Sequence, residues 1–314
     1  MEYETKRGKR MYTNEDLQIF VDLSQTLSFS QTARNLHLSQ STVSKRIKDL
    51  ETALQVILIE RGQGMKSLRL TLAGENFLPI ANEMLSLWKD ACHLGRGRWQ
   101  SSFTIASLSS LNIQVIPTIV DYLHGHAPAT HLQVMTSHSG LIYDLVERHQ
   151  ADLGFSLIAR EYQNTLVEKW FSEPMVVVRP IGTEISGPVC SPRDLPQEME
   201  IYNYSGIGFQ AWHDQWWASV NNSYVSLDNA SLVPLMLNKP GQWSVMQISM
   251  ARQLAATGQY VIQKLTNPPP DRVYYLVTHL HPTQTAAHIL SVLRPCLQSF
   301  AGQEESAGEV IHKG

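Results

Sequence analysis

Residues 28–50 read SFSQTARNLHLSQSTVSKRIKDL, two short helical stretches joined by a tight polar turn. In the second stretch Val43, Ile47 and Leu50 recur at i, i+4 and i+7, which draws one apolar stripe along a helix. Gln40, Ser41, Ser44, Lys45 and Lys48 fall together on another side. Ser39 stands where an N-cap belongs, so the helix is expected to begin at Gln40 and run to about Leu54. Gln reads adenine edges through two hydrogen bonds, Lys reads guanine, and serine hydroxyls hold phosphates. Those residue types on one face suit a helix that lies on DNA.

The flanking residues complete a small domain. Thr13–Ser24 reads as a helix, with Thr13 and Asp16 as a capping pair. A second helix is expected over about Ser30–Leu36, where Ala33 permits a close crossing. Val56–Glu60 and Ser67–Leu70 read as two short strands around Arg61-Gly62-Gln63-Gly64-Met65-Lys66, a glycine-bearing basic hairpin. Such a hairpin beside two helices is a wing, from which Arg61, Lys66 and Arg69 would reach phosphates or the minor groove. Thr71 to about His93 follows as a longer helix, bent by Pro79. Its apolar side (Leu72, Phe77, Ile80, Ala81, Met84, Leu85, Trp88 and Ala91) is too broad for one helix to bury, so a second copy of the chain is the simplest partner.

From Ser102 the pattern changes. Phe103–Leu108, His131–Thr136 and Asp152–Leu157 read as strands, with helical stretches Asn112–His124 and Ser139–His149 between them. That alternation predicts a parallel sheet. Met175–Arg179, Glu200–Tyr204, Tyr260–Lys264 and Val273–His279 are further strands. Ser231–Leu237, Val245–Thr257 and Ala286–Phe300 are further helices, and the tail from Gly302 is expected to fray.

Composition sets bounds. At 314 residues the chain is long enough for two or three domains, and 43% hydrophobic against 17% charged residues builds proper cores. No apolar run approaches the roughly 18 residues of a membrane helix. The first residues show no secretion signal, so the cytoplasm is the expected location. Residues 1–70 carry 11 Lys and Arg against 8 Asp and Glu, while the remainder carries 14 against 20. A basic head on an acidic body fits a head that meets phosphate. Cys92, Cys190 and Cys296 stand in no zinc or redox spacing, which reads as reduced structural thiols, with an oxidant-sensing role for Cys190 or Cys296 as the alternative. His124, His126, His131, His279 and His281 have no carboxylate or cysteine at ligand spacing, so no metal is expected. Neither a nucleophile elbow, a phosphate loop nor a dinucleotide fingerprint occurs, so no enzyme activity or cofactor is expected.

Residues 15–75 resemble the winged helix-turn-helix of LysR-type transcriptional regulators. The resemblance rests on Leu17 and Phe20, Ser28-Phe29-Ser30, Thr32-Ala33, Leu36, Leu38-Ser39-Gln40-Ser41, Val43-Ser44-Lys45, Ile47, Leu50-Glu51, Leu58, Arg61, Leu70-Thr71 and Gly74. Gln55 replaces the family's usual Gly, Ile59 its usual Phe, and Thr32 a common Ala. The resemblance implies an α/β chain: an N-terminal winged helix-turn-helix and a linker helix that dimerises, then a two-subdomain α/β effector domain resembling periplasmic binding proteins. The expected divisions are a basic arm (1–12, with Met11 a candidate start), the DNA-binding head (13–71), the linker helix (72–94), a hinge (95–101), the effector domain (102–301) and a tail (302–314). Within the effector domain, subdomain I would hold 102–178 and 274–301 and subdomain II 179–273, with crossovers near Arg179 and Val273. The turn common late in the second subdomain is replaced by Gln242-Trp243-Ser244-Val245-Met246-Gln247. The implied partners are a pseudo-palindromic duplex operator, a small-molecule effector, and further copies of the chain as a dimer or tetramer.

Effector candidates cluster at strand ends. Ser107, Ser109 and Ser110 converge before a helix and suit an anion, and Thr136, Ser137 and His138 repeat the arrangement. Ordinary helix capping explains the same residues. Asn203, Tyr204, Ser205 and Trp243 are the candidates from the second subdomain, and an effector of anionic or aromatic character is expected. Tyr202, Tyr204, Phe209, Trp212, Trp216 and Trp217 form an aromatic cluster that could stack an aromatic effector or a second subunit, and more commonly reads as core and subunit interface. The rival from another class is an enzyme or solute-binding domain fused to a DNA-binding head.

Overall fold

The computed structural model describes residues 12–60, 68–93, 101–217 and 222–312. Residues 1–11 of the basic arm (Met11 among them), Arg61, Lys66 and the hinge up to residue 100 lie outside them. The head is built from local signals. Helix α1 (Asn14–Thr26) starts at the Thr13–Asp16 capping box. Helix α2 (Phe29–Asn35) is capped by Ser28, and α3 (Gln40–Leu54) by Ser39, whose hydroxyl accepts from the Thr42 amide. A two-stranded antiparallel ribbon, β1 (Ile59–Glu60) with β2 (Arg69–Leu70), follows. Its start is pinned by Glu51, whose carboxylate accepts from the Leu58 and Ile59 amides at 2.9 and 3.1 Å.

The three departures from the family pattern have physical answers. Thr32 is fully buried, and its hydroxyl is satisfied by Thr26 at 2.6 Å. Ile59 fills the head core with Leu17, Phe20, Val43, Ile47 and Leu50. Gln55 ends α3 in the left-handed conformation, φ 60°, which favours glycine. Gln55→Gly is therefore expected to stabilise the head by about 1 kcal/mol, read as a higher urea midpoint with an unchanged slope. Gly74 is constrained by close approach instead, since a Cβ there would lie 2.2 Å from the Leu58 carbonyl oxygen.

Helix α4 (Leu72–His93) carries Pro79 in its interior. Its apolar side divides: Phe77, Leu78, Ala81, Met84 and Leu85 pack on the head, while Leu72, Ile80, Leu87 and Trp88 are exposed.

Beyond it the described residues form two larger sheets and one two-stranded pair. The first contains β3 (Ser101–Ser107), β4 (Thr130–Thr136), β5 (Leu153–Ser156) and β6 (Thr165–Glu173). Helices α5 (Ser109–Asn112), α6 (Val115–His126) and α7 (Ser139–Glu147) connect them. The second contains β7 (Met175–Pro180) and β8 (Val189–Cys190). After these come β9 (Ile201–Asn203), α8 (Ile207–Trp216), β10 (Val225–Leu227), α9 (Val233–Met236), β11 (Ser244–Gln247), α10 (Ile248–Ala256) and β12 (Tyr260–Leu265). Strand β13 (Arg272–His279) returns to the first sheet, and α11 (Gln284–His312) packs on it.

The first sheet has the order β4-β3-β5-β13-β6 and is mixed. Strand β3 is parallel to β4 and β5, but β13 runs antiparallel to β5 and β6. The expectation of a parallel sheet thus holds for the first three strands only, because β13 enters from the other lobe. The second sheet has the order β11-β7-β12-β8, with β9 and β10 as a separate parallel pair.

Other sequence expectations are corrected. The first crossing falls at Pro174, between β6 and β7, ahead of Arg179; Met175–Val178 belong to the second sheet, where β7 pairs with β11 and β12. Val245–Gln247 is strand, not helix, because it pairs with Val177–Met175. The tail is helical to His312, carried by the Ala, Gln and Glu residues of AGQEESAGEV in spite of Gly302 and Gly308. Strand β6 escaped the sequence reading although Thr165–Glu168 alternates in and out, with Lys169 breaking the pattern.

Candidate functional site

On the head, Gln40, Ser41, Lys45 and Lys48 are exposed on one face of α3, with Ser44 half-buried beside them. The caps at Ser28 and Ser39 set the angle of this face, and Ser30 donates to Gln40 Oε1 at 3.0 Å, preparing its amide. Arg46 is excluded from the face. Its guanidinium is held at 2.6 Å by Glu15 and 3.0 Å by Asp16, which ties α3 to α1. Arg69 is exposed on β2, paired with Glu60 of β1.

The second region is the seam between the two α/β lobes. Arg272, the first residue of β13, spans it. Its Nη1 donates to Ser205 Oγ at 3.2 Å and to Gln247 Oε1 at 3.4 Å, and its Nη2 donates to Ser110 Oγ at 3.3 Å. One turn beyond Ser110, Gln114 accepts from Ser249 Oγ at 3.0 Å. The Ser249 amide donates to Glu173 at 2.9 Å, and Tyr274 donates to the other oxygen of Glu173 at 2.8 Å. Glu173 is fully buried, and that burial pushes its carboxyl above the usual range. The Tyr274 hydroxyl is pushed up by burial and then by Glu173.

The sequence candidates scatter around this seam. Ser110 and Ser205 lie in it. Asn203 is buried, with Oδ1 lacking a hydrogen-bond partner. Ser107 is buried and turned to the Leu108 carbonyl at 3.4 Å, and Ser137 donates its amide to the Ser107 carbonyl. Ser109 is partly exposed; Thr136, His138 and Tyr204 are exposed. Thr136 accepts from Asn112 at 2.7 Å.

Trp243 is a correction. It is fully buried, donates Nε1 to the Pro196 carbonyl at 2.8 Å, and packs against Trp217 at 5.1 Å. It belongs to the aromatic core of the second lobe with Tyr202, Phe209, Trp212 and Trp217. Arg272, Gln114, Gln247, Ser249 and Glu173 escaped the sequence reading. The signal available was Arg272 itself, a lone cation between a proline run and an apolar strand.

A separate open groove of about 480 Å³ is lined by Arg160, Glu161, Tyr162, Lys169 and Tyr275, among others, none of them seam residues. Cys190 and Cys296 are buried, and burial raises both thiols above their ordinary range. The His149 and His279 rings lie 3.9 Å apart, tilted by 39°. Burial, then His279, lowers His149 from 6.5 to about 4. The unfolded chain therefore binds a proton that the folded one refuses between those values. Stability is fully present above pH 6.5 and falls as the pH drops toward 4. His149 has φ 52°, which Asn tolerates, so His149→Asn is expected to flatten the fall in melting temperature between pH 7 and 4.5. Among the described residues, no group of three His, Cys, Asp or Glu is placed to hold a metal. No described helix is long and apolar enough to cross a membrane.

A capped reading helix with a ribbon at its side, carried on a helix ahead of two α/β lobes that meet at a polar seam, defines a DNA-binding regulator with a ligand-binding domain. Residues 14–75 match the bacterial regulatory helix-turn-helix proteins of the lysR family, and residues 96–294 match the LysR substrate binding domain. The chain belongs to the LysR family of transcriptional regulators. It is 39% identical over 101 residues to the transcriptional regulator HdfR of Escherichia coli, a match spanning 31% of this chain and about a third (34%) of HdfR. Full-length OxyR from Pseudomonas aeruginosa shares the fold with a TM-score of 0.61 at 19% identity, over 92% of this chain and 95% of that one. Full-length LysG from Corynebacterium glutamicum, solved with bound effector Arg, gives 0.57 at 15% identity, over 91% and 98%.

Proposed function

We propose that this regulator binds a pseudo-palindromic operator through Gln40, Ser41, Ser44, Lys45, Lys48 and Arg69, with Arg61 and Lys66 of the wing as flanking contacts. Two copies join through the exposed side of α4, where Leu72, Ile80, Leu87 and Trp88 present apolar surface. The divisions are those expected from the sequence, with the head at 13–71, the linker helix at 72–94 and the effector domain from 102. The first crossing moves to Pro174. A small metabolite of anionic or aromatic character enters the seam between the lobes, where Ser110 and Ser205 stand, and shifts the balance between two arrangements of the heads. The protein works in the cytoplasm, without catalysis.

The observation that carries this reading is the seam itself: polar side chains from both lobes meet at Arg272, so a ligand there contacts both at once. An effector that changes lobe closure has a mechanical route to the heads. The oxidant-sensing alternative gains no support from Cys190 and Cys296, since a raised thiol is a poor nucleophile.

The test is operator selection from random duplexes with the full chain, followed by footprinting. Two half-sites one or more helical turns apart, with a footprint that alters when effector is added, support the reading. A single asymmetric site, or a footprint indifferent to every ligand that binds, counts against it.

A further inference from the structure

The seam holds a cation whose hydrogen-bond partners are all neutral. Arg272 reaches Ser110, Ser205 and Gln247 at 3.2–3.4 Å, long against the 2.7–2.9 Å typical of a guanidinium bonded to an oxyanion. Its Nε is buried without a hydrogen-bond partner. Beside it Gln114 is only 8% exposed, and its Nε2 also lacks a partner. The Ser110 hydroxyl hydrogen can turn toward an acceptor, while Ser205 donates to the Asn203 carbonyl at 3.3 Å. The seam therefore has unpaired donors in Arg272 Nε and Gln114 Nε2, and what it lacks is an acceptor carrying charge.

We propose that the seam recognises a small organic monocarboxylate, whose oxygens replace the neutral partners of Arg272 and accept from Gln114 Nε2. This rests on the effector reading above and narrows it from anionic or aromatic to anionic. The guanidinium fork matches a carboxylate with two parallel bonds, which neither an amide nor an alcohol reproduces. Glu173, fixed by the Ser249 amide and the Tyr274 hydroxyl, is close enough to interact electrostatically with Arg272. The seam offers one guanidinium, which balances a single negative charge, so doubly charged sulfate and phosphate are disfavoured. Because Arg272 is the first residue of β13, directly after the chain returns from the second sheet, the bound carboxylate grips the lobes at their crossing.

The experiment is calorimetric titration of the full chain with short and aromatic monocarboxylates, their uncharged amides, sulfate and inorganic phosphate. Carboxylates are expected to bind, amides and the inorganic anions to bind much more weakly. Arg272→Gln is expected to weaken carboxylate binding about thirtyfold or more, with Arg272→Lys in between. Gln114→Glu, which sets a carboxylate in the seam, weakens binding independently should Arg272→Gln fold poorly. Equal binding of amides, or carboxylate binding unchanged in folded Arg272→Gln or Gln114→Glu, overturns the proposal and leaves the effector reading standing. Tighter binding of sulfate or phosphate overturns the choice of a monocarboxylate. If nothing charged or neutral binds, the effector reading falls with it.

Discussion

Trp243→Ala destabilises the effector domain by about 3–5 kcal/mol, the usual cost of removing a buried Trp from a packed core. Trp243 is fully buried among the aromatic residues of the second lobe. Its indole donates to Pro196 at 2.8 Å, and its backbone carbonyl accepts from Ile201 at 2.8 Å, so it joins β9 to the stretch before β11. Deleting the ring leaves a cavity and removes one of the two hydrogen bonds on the Pro196 carbonyl, which keeps the Met199 amide. Trp243→Phe keeps much of the apolar contact and loses the hydrogen bond, which places it between the two. Urea unfolding followed by Trp fluorescence and circular dichroism measures both. A midpoint unchanged in Trp243→Ala, with ligand binding abolished, would return Trp243 to the cleft where the sequence reading placed it.

The second large effect concerns DNA. Replacing Lys45 and Lys48 together by alanine is expected to reduce the slope of log affinity against log salt by about 1.8 per head, two phosphate contacts' worth. With Lys45 and Lys48 on phosphates the loss is similar for every duplex, because phosphates carry no sequence, whereas a loss confined to guanine-bearing sites would assign them to base reading. Gln40→Ala should behave oppositely, leaving the slope unchanged and relaxing preference at one base pair by about 1–3 kcal/mol. Fluorescence anisotropy at several salt concentrations separates the two patterns. A salt slope unchanged in the double variant would remove both lysines from the contact surface. Neither lysine packs in the head core, so stability should hold.

The contrast between these residues shows what was legible beforehand. The helix starts at Thr13 and Ser39 were readable because each cap bonds to an amide three residues ahead; the cap at Ser28 makes the same bond, but the reading opened that helix at Ser30. The stripe of Val43, Ile47 and Leu50 lies within two helical turns, and its burial follows from periodicity alone. The reading face is then whatever the stripe leaves outside. Arg46 shows the limit even there, since its removal from that face depends on Glu15 and Asp16, 31 and 30 residues away.

For the effector domain, the alternation of β3, α6, β4, α7 and β5 was local and readable; the return of β13 was not. A strand's own residues state that it pairs, but not with which neighbour or in which direction. The sequence by itself determined the capped helices, the reading face, the first α/β unit and the family. Only the tertiary structure decided the seam, which joins Ser110 to Arg272 across 162 residues, Gln114 to Ser249 across 135 and Glu173 to Tyr274 across 101. The physical reason is that a cap or a helical stripe is satisfied within a few residues of itself. A partly buried guanidinium finds its partners only after two crossings have brought the two lobes together.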